Sequence, residues 1–171
     1  MSVFLIGYRG SGKTTVGAKL ADRLWQSFVD SDQRVVAKAA KTIKEIFEQD
    51  GEPAFRDLES AVLAELAQLD EHVIALGGGA VLRDENRRLL KDDRHKVVYL
   101  KCDPQELLRR IQADPETAAT RPSLTALGGG LDEVKALLAE REPVYRLTMT
   151  SELDVTHLTP EEAVKYIARM I

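Results

Sequence analysis

Short runs of apolar residues alternate along the chain with longer segments in which apolar residues recur every three or four positions. Runs of the first kind predict buried β-strands, and segments of the second kind predict amphipathic helices. The predicted strands are SVFLIG, SFVDSD, HVIALG, KVVYLK and ELDVT. Because helical segments separate most of these strands, the pattern predicts a three-layer α/β/α fold with a five-stranded parallel sheet.

Start and stop signals divide the helical segments. We expect KTTVGAKLADRLW to form a helix after the first strand, and the chain from about Asp32 to Leu69 to be helical except near Gly51 and Pro53. DPQELLRRIQ begins with a capping Asp followed by a Pro at the first helical position. We expect Pro143 to bend or divide the helix LDEVKALLAEREPVYRL, and TPEEAVKYIARMI to form a capped closing helix.

The stretch ADPETAATRPSLTALGGG differs from its surroundings because it has no sustained hydrophobic period. It is rich in turn-forming and small residues, so it predicts a mobile excursion from the core. The chain has 171 residues, which is enough for one compact domain with a real hydrophobic core.

Composition excludes several classes of function. An apolar content of 44% and a charged content of 30% are typical of a soluble globular protein. The net charge of −4 argues against general binding to nucleic acid or to an anionic membrane, and no apolar run is long enough to span a bilayer. Met1 leads into VFLI without the charged segment of a signal peptide, and the single Cys102 cannot form an internal disulfide. We therefore expect a cytoplasmic protein.

The sequence GYRGSGKT, from Gly7 to Thr14, matches the complete phosphate-binding pattern G-x-x-x-x-G-K-[ST]. Its glycines allow backbone N–H groups to surround phosphate oxygens, and the following helix adds the positive end of its dipole. Lys13 can bridge the β- and γ-phosphates, and the Thr14 hydroxyl can ligate Mg²⁺. The motif therefore predicts binding of a nucleoside triphosphate. Its predicted ATP-binding residues are Gly10, Ser11, Gly12, Lys13, Thr14 and Thr15.

A phosphate loop alone does not identify the reaction, because GTPase switches, motor ATPases and small-molecule kinases all contain one. The N-K-x-D motif that reads guanine in GTPases is absent from the sequence. An acid pair follows the second predicted strand instead, and several arginines lie in the second half of the chain. Phosphoryl transfer to a small molecule needs cations for the migrating charge and a carboxylate near the acceptor hydroxyl.

Asp30 and Asp32 form this acid pair, two residues apart at the end of the second predicted strand. On an extended backbone both side chains point to the same side, at the sheet edge where ligands bind in parallel α/β folds. The alternative for Asp32 is a helix cap, because a helical segment follows it. The neighbouring phosphate loop favours a ligand over a cap.

Six segments appear in the order and spacing of the shikimate kinase family, which resembles the nucleoside monophosphate kinases in fold. They are GYRGSGKT, FVDSDQ, IKEIFEQDGEPAFRDLES, IALGGGAVL, TRPSLT and LLAEREPVYR, from about Gly7 to Tyr145. The tail DVTHLTPEEAV is also similar to family members. The resemblance implies transfer of the γ-phosphoryl group of ATP, with Mg²⁺, to the 3-hydroxyl of shikimate, a step of chorismate biosynthesis.

The resemblance also implies how the chain is organised and which partners it has. The expected parts of the single domain 1–171 are a core of residues 1–32, 70–110 and 131–171, a substrate-binding subdomain at about 33–61 and a mobile lid at about 112–130. The expected partners are ATP and shikimate, with no nucleic acid and no membrane, and the expected state is a monomer.

Carried over residue by residue, the resemblance makes Asp30 the helper of Mg²⁺, through water, and Asp32 a shikimate ligand and candidate general base. A loose transition state needs little base catalysis, so Asp32 either accepts the proton or only orients the hydroxyl. Arg121 falls in the lid, where it is expected to reach the transferring phosphates on closure and so limit hydrolysis of ATP. The predicted catalytic residues are Lys13, Asp32 and Arg121.

Arg56 and Arg141 match the two family arginines that bind the carboxylate of shikimate through paired hydrogen bonds. Glu59 lies three residues after Arg56, on the same helical face, where it can orient the guanidinium. Phe47 and Phe55 either wall the substrate ring or pack in the core.

Arg110 matches the family position that stacks on adenine, although Arg109 is only one position away. Arg9, inside the phosphate loop, receives no role.

The tetrapeptide LGGG occurs twice. Gly77, Gly78 and Gly79 follow a buried strand, where a side chain would collide with substrate and bare N–H groups can approach its oxygens. Family members place shikimate against this turn. The second triplet, Gly128 to Gly130, ends the predicted lid and is expected to be a hinge or a helix lead-in.

Two alternative functions remain at this stage. Another small-molecule kinase on the same fold, such as a gluconate kinase, would share the phosphate loop, although Arg56 with Arg141 argues for a carboxylate substrate. A catalytically silent nucleotide-binding module would retain the loop without the acceptor acids, but Asp30 and Asp32 are present.

Overall fold

A single parallel sheet forms the centre of the computed structural model, which describes residues 1–116 and 128–171. The strands in these residues are β1 (Ser2–Ile6), β2 (Ser27–Asp30), β3 (His72–Ala75), β4 (His95–Lys101) and β5 (Ser151–Asp154). Their spatial order is β2-β3-β1-β4-β5, and every neighbouring pair is parallel. The predicted α/β fold with a five-stranded parallel sheet is confirmed.

Helices connect the strands and pack against the sheet. Those in the described residues are α1 (Lys13–Leu24), α2 (Ser31–Ala39), α3 (Ile43–Gln49), α4 (Glu52–Leu66), α5 (Asp84–Leu90), α6 (Pro104–Ala113), α7 (Leu131–Thr148) and α8 (Pro160–Met170). Helix α1 packs against β1, β2, β3 and α8, whereas α7 packs against β4 and α6. In the parts of the chain that the structure describes, no helix has both the length and the apolar character needed to cross a membrane.

Strand β1 lies in the middle of the sheet and is covered on both faces. Its side chains Val3, Phe4, Leu5 and Ile6 are at most 1% exposed. Because successive side chains of a strand point to opposite faces, their burial requires helices on both sides. The loop after β1 therefore emerges in the centre of the carboxyl edge of the sheet, where parallel α/β folds bind ligands.

The chain between β2 and β3 differs from the sequence-based expectation in two places. Strand β2 ends at Asp30 and α2 begins at Ser31, so Asp32 lies in a helix and not on an extended strand. The second difference is an interruption of the helical segment at Thr42, in addition to the one predicted near Gly51. There the Thr42 hydroxyl accepts from the N–H of Glu45, and the Glu45 carboxylate accepts from the N–H of Thr42, which forms a capping box. The hydrogen bonds that the N–H and the hydroxyl of Thr42 donate to this carboxylate lower the pKa of Glu45.

Other helices agree only in part with the prediction. The interruption near Gly51 is confirmed, since α3 and α4 meet there, but the seven-residue α5 was not predicted because so short a segment shows little period. Helix α7 continues through Pro143, so a division there is wrong, and the alternative of a bend stays a prediction. Leu138, Arg141 and Tyr145 are buried at helical spacing on both sides of the proline. This packing offsets the loss of the hydrogen bond that proline cannot donate.

Titration of His95 is expected to make the fold less stable in mild acid. His95 begins β4, is 3% exposed, and its ring centroid lies 4.9 Å from that of Phe4. Burial lowers the pKa of His95 from its ordinary value of 6.5, although the nearby Asp92 opposes this effect. The unfolded chain therefore binds this proton more readily than the folded chain, and the free energy of unfolding should decrease as the pH falls through 6.5.

Urea denaturation at a series of pH values from about 8 to about 5 measures this effect. We expect His95→Phe, which removes the titrating group and keeps an aromatic ring beside Phe4, to show a smaller decrease than the wild type. His157→Gln, at an exposed histidine, is the control and should follow the wild type. If the free energy of unfolding of His95→Phe decreased with pH as much as that of the wild type, His95 would not be the source of the decrease.

Candidate active site

The phosphate loop lies at the carboxyl end of β1 and leads directly into α1. Gly12 is the N-cap of α1 and has a φ of 93°, in the left-handed region that favours glycine. At Gly10, a Cβ atom would lie 2.9 Å from Ile111, so glycine also permits α6 to pack against the loop. The motif therefore has the strand–loop–helix setting that phosphate binding requires.

Lys13 and Thr14 place polar groups at the start of α1. The Lys13 ammonium donates hydrogen bonds to the carbonyl oxygens of Gly7 and Tyr8, at 2.8 and 2.9 Å, and so lies across the loop. The Thr14 hydroxyl donates to the carboxylate of Asp30 at 2.8 Å. This hydrogen bond joins the phosphate loop to the end of β2.

Asp30, and not Asp32, is the residue that caps α2. Its Oδ1 atom accepts from the N–H groups of Asp32 and Gln33, at 2.9 and 3.3 Å. The alternative in which Asp32 caps the helix is therefore wrong, as is the expectation of an extended backbone for both acids. Asp32 lies in the first turn of α2, with its Oδ1 atom only 2.7 Å from where a Cβ on Gly77 would be.

Thr14 and Asp30 are the residues that could hold a divalent cation beside the loop. Both supply oxygen donors, which Mg²⁺ prefers, and one carboxylate oxygen of Asp30 is engaged by the backbone of α2. No cluster of three or more His, Cys, Asp or Glu in residues 1–116 and 128–171 is arranged to hold a metal ion. Mg²⁺ bound with a nucleotide needs only one or two protein ligands, so this donor set fits the ion.

A broad groove extends from the phosphate loop along α6 and past the end of β5. All of the loop residues predicted to bind ATP line it: Gly10, Ser11, Gly12, Lys13, Thr14 and Thr15. Arg110 also lines the groove, where it donates to Glu106 at 2.8 Å and to the carbonyl oxygen of Val155 at 2.9 Å. Its Nη1 atom lies 4.0 Å from a Cβ position at Gly12.

The neighbouring Arg109 also lines the groove, but it is held less firmly. Its side chain is 67% exposed and forms both of its hydrogen bonds with Glu106. The bonds from Arg109 and Arg110 lower the pKa of Glu106 to about 2. Arg110 is therefore the arginine whose guanidinium the fold fixes beside Gly12, and the choice of Arg110 as the contact with adenine stays a prediction.

A second, smaller pocket adjoins the groove. The residues predicted to bind shikimate all line it: Asp32, Arg56, Glu59, Gly77, Gly78, Gly79 and Arg141. They come from α2, α4, α7 and the turn after β3. The structure thus brings the whole predicted set together, although their contacts with a substrate stay a prediction.

Arg56 and Glu59 form an ion pair inside the pocket wall. Arg56 donates to the Glu59 carboxylate at 2.7 Å, and the two residues are only 9% and 2% exposed. Burial raises the pKa of Glu59, while the charge and hydrogen bond of Arg56 act in the opposite direction. The predicted orientation of Arg56 by Glu59 is therefore present in the structure.

Phe47 and Phe55 fit both alternatives of the sequence analysis. Their ring centroids are 4.8 Å apart, so the rings pack on each other, and both residues line the pocket. The guanidinium of Arg56 lies 5.2 Å from the ring centroid of Phe55, a distance at which cation–π attraction operates.

Tyr145 and Arg141 approach the pocket from α7, one helical turn apart. The Tyr145 hydroxyl donates to the carbonyl oxygen of Gly78 at 2.6 Å, and Arg141 lies 5.8 Å from the ring centroid of Tyr8. Tyr145 is fully buried. Neither Tyr8 nor Tyr145 was predicted from the sequence to support the pocket, although the four-residue spacing between Arg141 and Tyr145 places both on one helical face.

The glycines at 77–79 are required by close approach and not by backbone angle, since none of them has a positive φ. A Cβ on Gly77 would lie 2.8 Å from Glu59, and one on Gly79 would lie 2.5 Å from Arg56. A side chain at Gly77 or Gly79 would therefore collide with other side chains of the site, Glu59 and Arg56. The N–H of Gly77 is not bare, because it donates to the Ser31 hydroxyl at 3.0 Å.

The second LGGG sequence has different surroundings. Gly128 has a φ of 80° with open space around it, and Gly130 is the N-cap of α7. The helix lead-in is therefore confirmed for Gly130. Arg121 and most of the predicted lid lie outside the described residues, so their roles stay predictions.

A phosphate loop after the first strand of a parallel sheet, next to a pocket that contains two buried arginines, defines a P-loop kinase of a small acidic molecule. The family model for shikimate kinase matches residues 9–171 of the chain. The chain therefore belongs to the shikimate kinase family. Its activity is the ATP-dependent phosphorylation of a hydroxyl group of shikimate.

Individual relatives agree with this assignment along nearly the whole chain. A shikimate kinase of Thermobifida fusca is 42% identical over 165 residues, covering 96% of this chain and 91% of that protein. One of Nitrosococcus oceani is 42% identical over 170 residues, covering 99% of this chain and 84% of that protein.

Solved structures show the same similarity. The shikimate kinase from Acinetobacter baumannii in complex with shikimate has a TM-score of 0.91 and 34% identity, and the match covers 99% of this chain and 91% of that one. The crystal structure of shikimate kinase from Aquifex aeolicus has a TM-score of 0.82 and 34% identity, with 99% and 95% covered.

Gly79→Ala is expected to raise the KM for shikimate by about tenfold or more, because its methyl group would displace the Arg56 guanidinium. Steady-state kinetics with each substrate varied in turn measures the effect, and the KM for ATP should change little. Gly130→Ala adds the same group to the second LGGG sequence in open space, and should leave both KM values within about twofold. Equal effects of the two substitutions would contradict the close-approach argument.

Proposed function

We propose that the chain transfers the γ-phosphoryl group of ATP to the 3-hydroxyl of shikimate, giving shikimate 3-phosphate and ADP, where the groove meets the pocket. The observation that carries this proposal is the position of Asp32, which lines both cavities. An acceptor hydroxyl held beside Asp32 in the pocket would face a triphosphate that lies along Lys13 in the groove.

Arg56 and Arg141 bind the carboxylate of shikimate in this proposal. Both are nearly buried, with 9% and 6% exposure, and both lie against the turn, Arg56 at Gly79 and Arg141 at Gly78. A guanidinium can form two parallel hydrogen bonds with a carboxylate, and burial strengthens them. The ion pair with Glu59 keeps Arg56 in position before substrate arrives.

The chemical step breaks the bond between the γ-phosphorus and the bridging oxygen of ATP and forms one from that phosphorus to the 3-hydroxyl oxygen. ADP is the leaving group, and the hydroxyl proton is lost to Asp32 or to water. Lys13 neutralises charge on the β- and γ-phosphates, which lowers the barrier to transfer. Asp32 orients the hydroxyl in either case.

Mg²⁺ accompanies ATP in this proposal, held by the Thr14 hydroxyl and, through water, by Asp30. The ion would neutralise phosphate charge as the leaving group departs. Asp30 also keeps Thr14 in place and caps α2, so it links the cation site to the helix that carries Asp32.

ATP lies in the groove, with its phosphates in the loop and its base beside Arg110, whose guanidinium is fixed by Glu106 and the end of β5. Residues 33–61 serve as the substrate-binding subdomain, which is supported by the pocket-lining residues Phe47, Phe55 and Arg56. The proposed enzyme is a monomer in the cytoplasm, a location that the single free cysteine, Cys102, supports.

A coupled assay of ADP release with a panel of acceptors tests the function. We expect Mg²⁺-dependent ADP release with shikimate and release at the level of water-driven hydrolysis with gluconate or a nucleoside monophosphate. Mass spectrometry of the product should show one phosphate on shikimate. A purified protein that phosphorylates gluconate or a nucleotide and is inert with shikimate would overturn the proposal.

Arg141→Lys is expected to raise the KM for shikimate by roughly 10- to 100-fold, because a lysine cannot form the paired hydrogen bonds of a guanidinium. The KM for ATP should stay within about twofold, since Arg141 lines the pocket and not the groove. Arg146→Lys, at a half-exposed position later in α7, is the control. A similar loss of affinity for both substrates would count against a contact of Arg141 with shikimate.

A further inference from the structure

Arg9 occupies a position that the proposed chemistry does not yet use. It lies within the phosphate loop, and it lines both the nucleotide groove and the smaller pocket. The described residues that line both cavities are Arg9, Asp32, Ile43 and Gly77, and Arg9 is the one among them that carries a positive charge. Lys13, by comparison, lines the groove but not the smaller pocket.

The loop at Arg9 is in contact with the floor of the pocket. The backbone nitrogen of Arg9 is 3.5 Å from the Cβ position at Gly78, and the Nε atom of its side chain is buried. Burial raises the pKa of Tyr8, and the charges of Arg9 and Arg141 oppose that rise. Arg9 and Arg141 therefore both act electrostatically on the same buried phenol beneath the pocket.

The charges of the residues that line the pocket favour a cation where the pocket meets the groove. Three arginines and two carboxylates line the pocket, and one arginine, Arg56, is paired with Glu59. The residues that line the pocket thus carry one more positive than negative charge, and shikimate brings a carboxylate to them. A phosphoryl group that enters the pocket adds further negative charge at the side where Arg9 and Asp32 lie, so a cation there would stabilise the transferred group and separate it from Asp32.

We propose that Arg9 holds the phosphoryl group as it passes from ATP to the substrate hydroxyl, and that it stays bound to the phosphate of the product. This inference rests on the proposed function. Arg9 supplies hydrogen bonds and charge and exchanges no proton, because a guanidinium stays protonated throughout the reaction. The bonds that break and form, and the loss of the hydroxyl proton, are unchanged from the step described above.

Arg9→Met and Arg9→Gln test the proposal, since both remove the charge at a position where the backbone has no positive φ. We expect each to lower kcat by about tenfold or more and to leave the KM for ATP within about threefold. Arg9→Lys should recover part of kcat, because it restores the charge without the paired hydrogen bonds. Arg23→Met, which removes an exposed charge at the far end of α1, is the control and should behave as the wild type.

Calorimetric titration without nucleotide separates phosphate binding from substrate binding. We expect Arg9→Met to weaken the affinity for shikimate 3-phosphate by about tenfold more than the affinity for shikimate. Thermal denaturation of each variant checks that it is folded, and Arg9→Lys provides the folded comparison if a neutral variant is not.

An unchanged kcat in Arg9→Met, or equal losses of affinity for shikimate and its phosphate, would overturn the role of Arg9. That outcome differs from failure of the proposed function, in which the wild type and Arg23→Met would themselves be inactive with shikimate.

Discussion

The close approach of a bare backbone turn to charged side chains is the constraint on which the pocket depends. The turn after β3 passes so near to Asp32, Glu59 and Arg56 that a Cβ atom at Gly77 or Gly79 would overlap them. The Arg56–Glu59 pair is buried against this turn, and separating such a pair costs about 3–5 kcal/mol because one charge is left without its partner. Glycine at these positions is therefore a condition for burying the charges that bind the substrate.

The same turn connects parts of the molecule that are distant in sequence. Its N–H at Gly77 is bound by Ser31 of α2, and its carbonyl at Gly78 is bound by Tyr145 of α7. Helix α2 also carries Asp32, and α7 carries Arg141. The turn is thus hydrogen-bonded both to the helix that carries the acid Asp32 and to the helix that carries the cation Arg141.

Sequence reasoning predicted the features that depend on local pattern. The phosphate loop, the strands and the pairing of Arg56 with Glu59 follow from motif, alternation and helical spacing, and these are properties of neighbouring residues. The capping of α2 by Asp30 was not predicted, because two acids separated by one residue give similar local signals and only the end of β2 decides between them. The continuity of α7 through Pro143 depends on packing against β4 and α6, which no local pattern shows.

The two LGGG sequences show why identical tetrapeptides can have unrelated roles. In the second, Gly128 and Gly129 adopt φ angles of 80° and 81°, so glycine is favoured there by backbone conformation, and Gly128 has open space around it. In the first, the φ angles are ordinary, and glycine is favoured because Asp32, Glu59 and Arg56 occupy the volume that any side chain would need. The surroundings of the backbone, and not the sequence of the turn, make the first triplet part of the site. The residues that define those surroundings, from Ser31 in α2 to Tyr145 in α7, are brought together only by the complete fold.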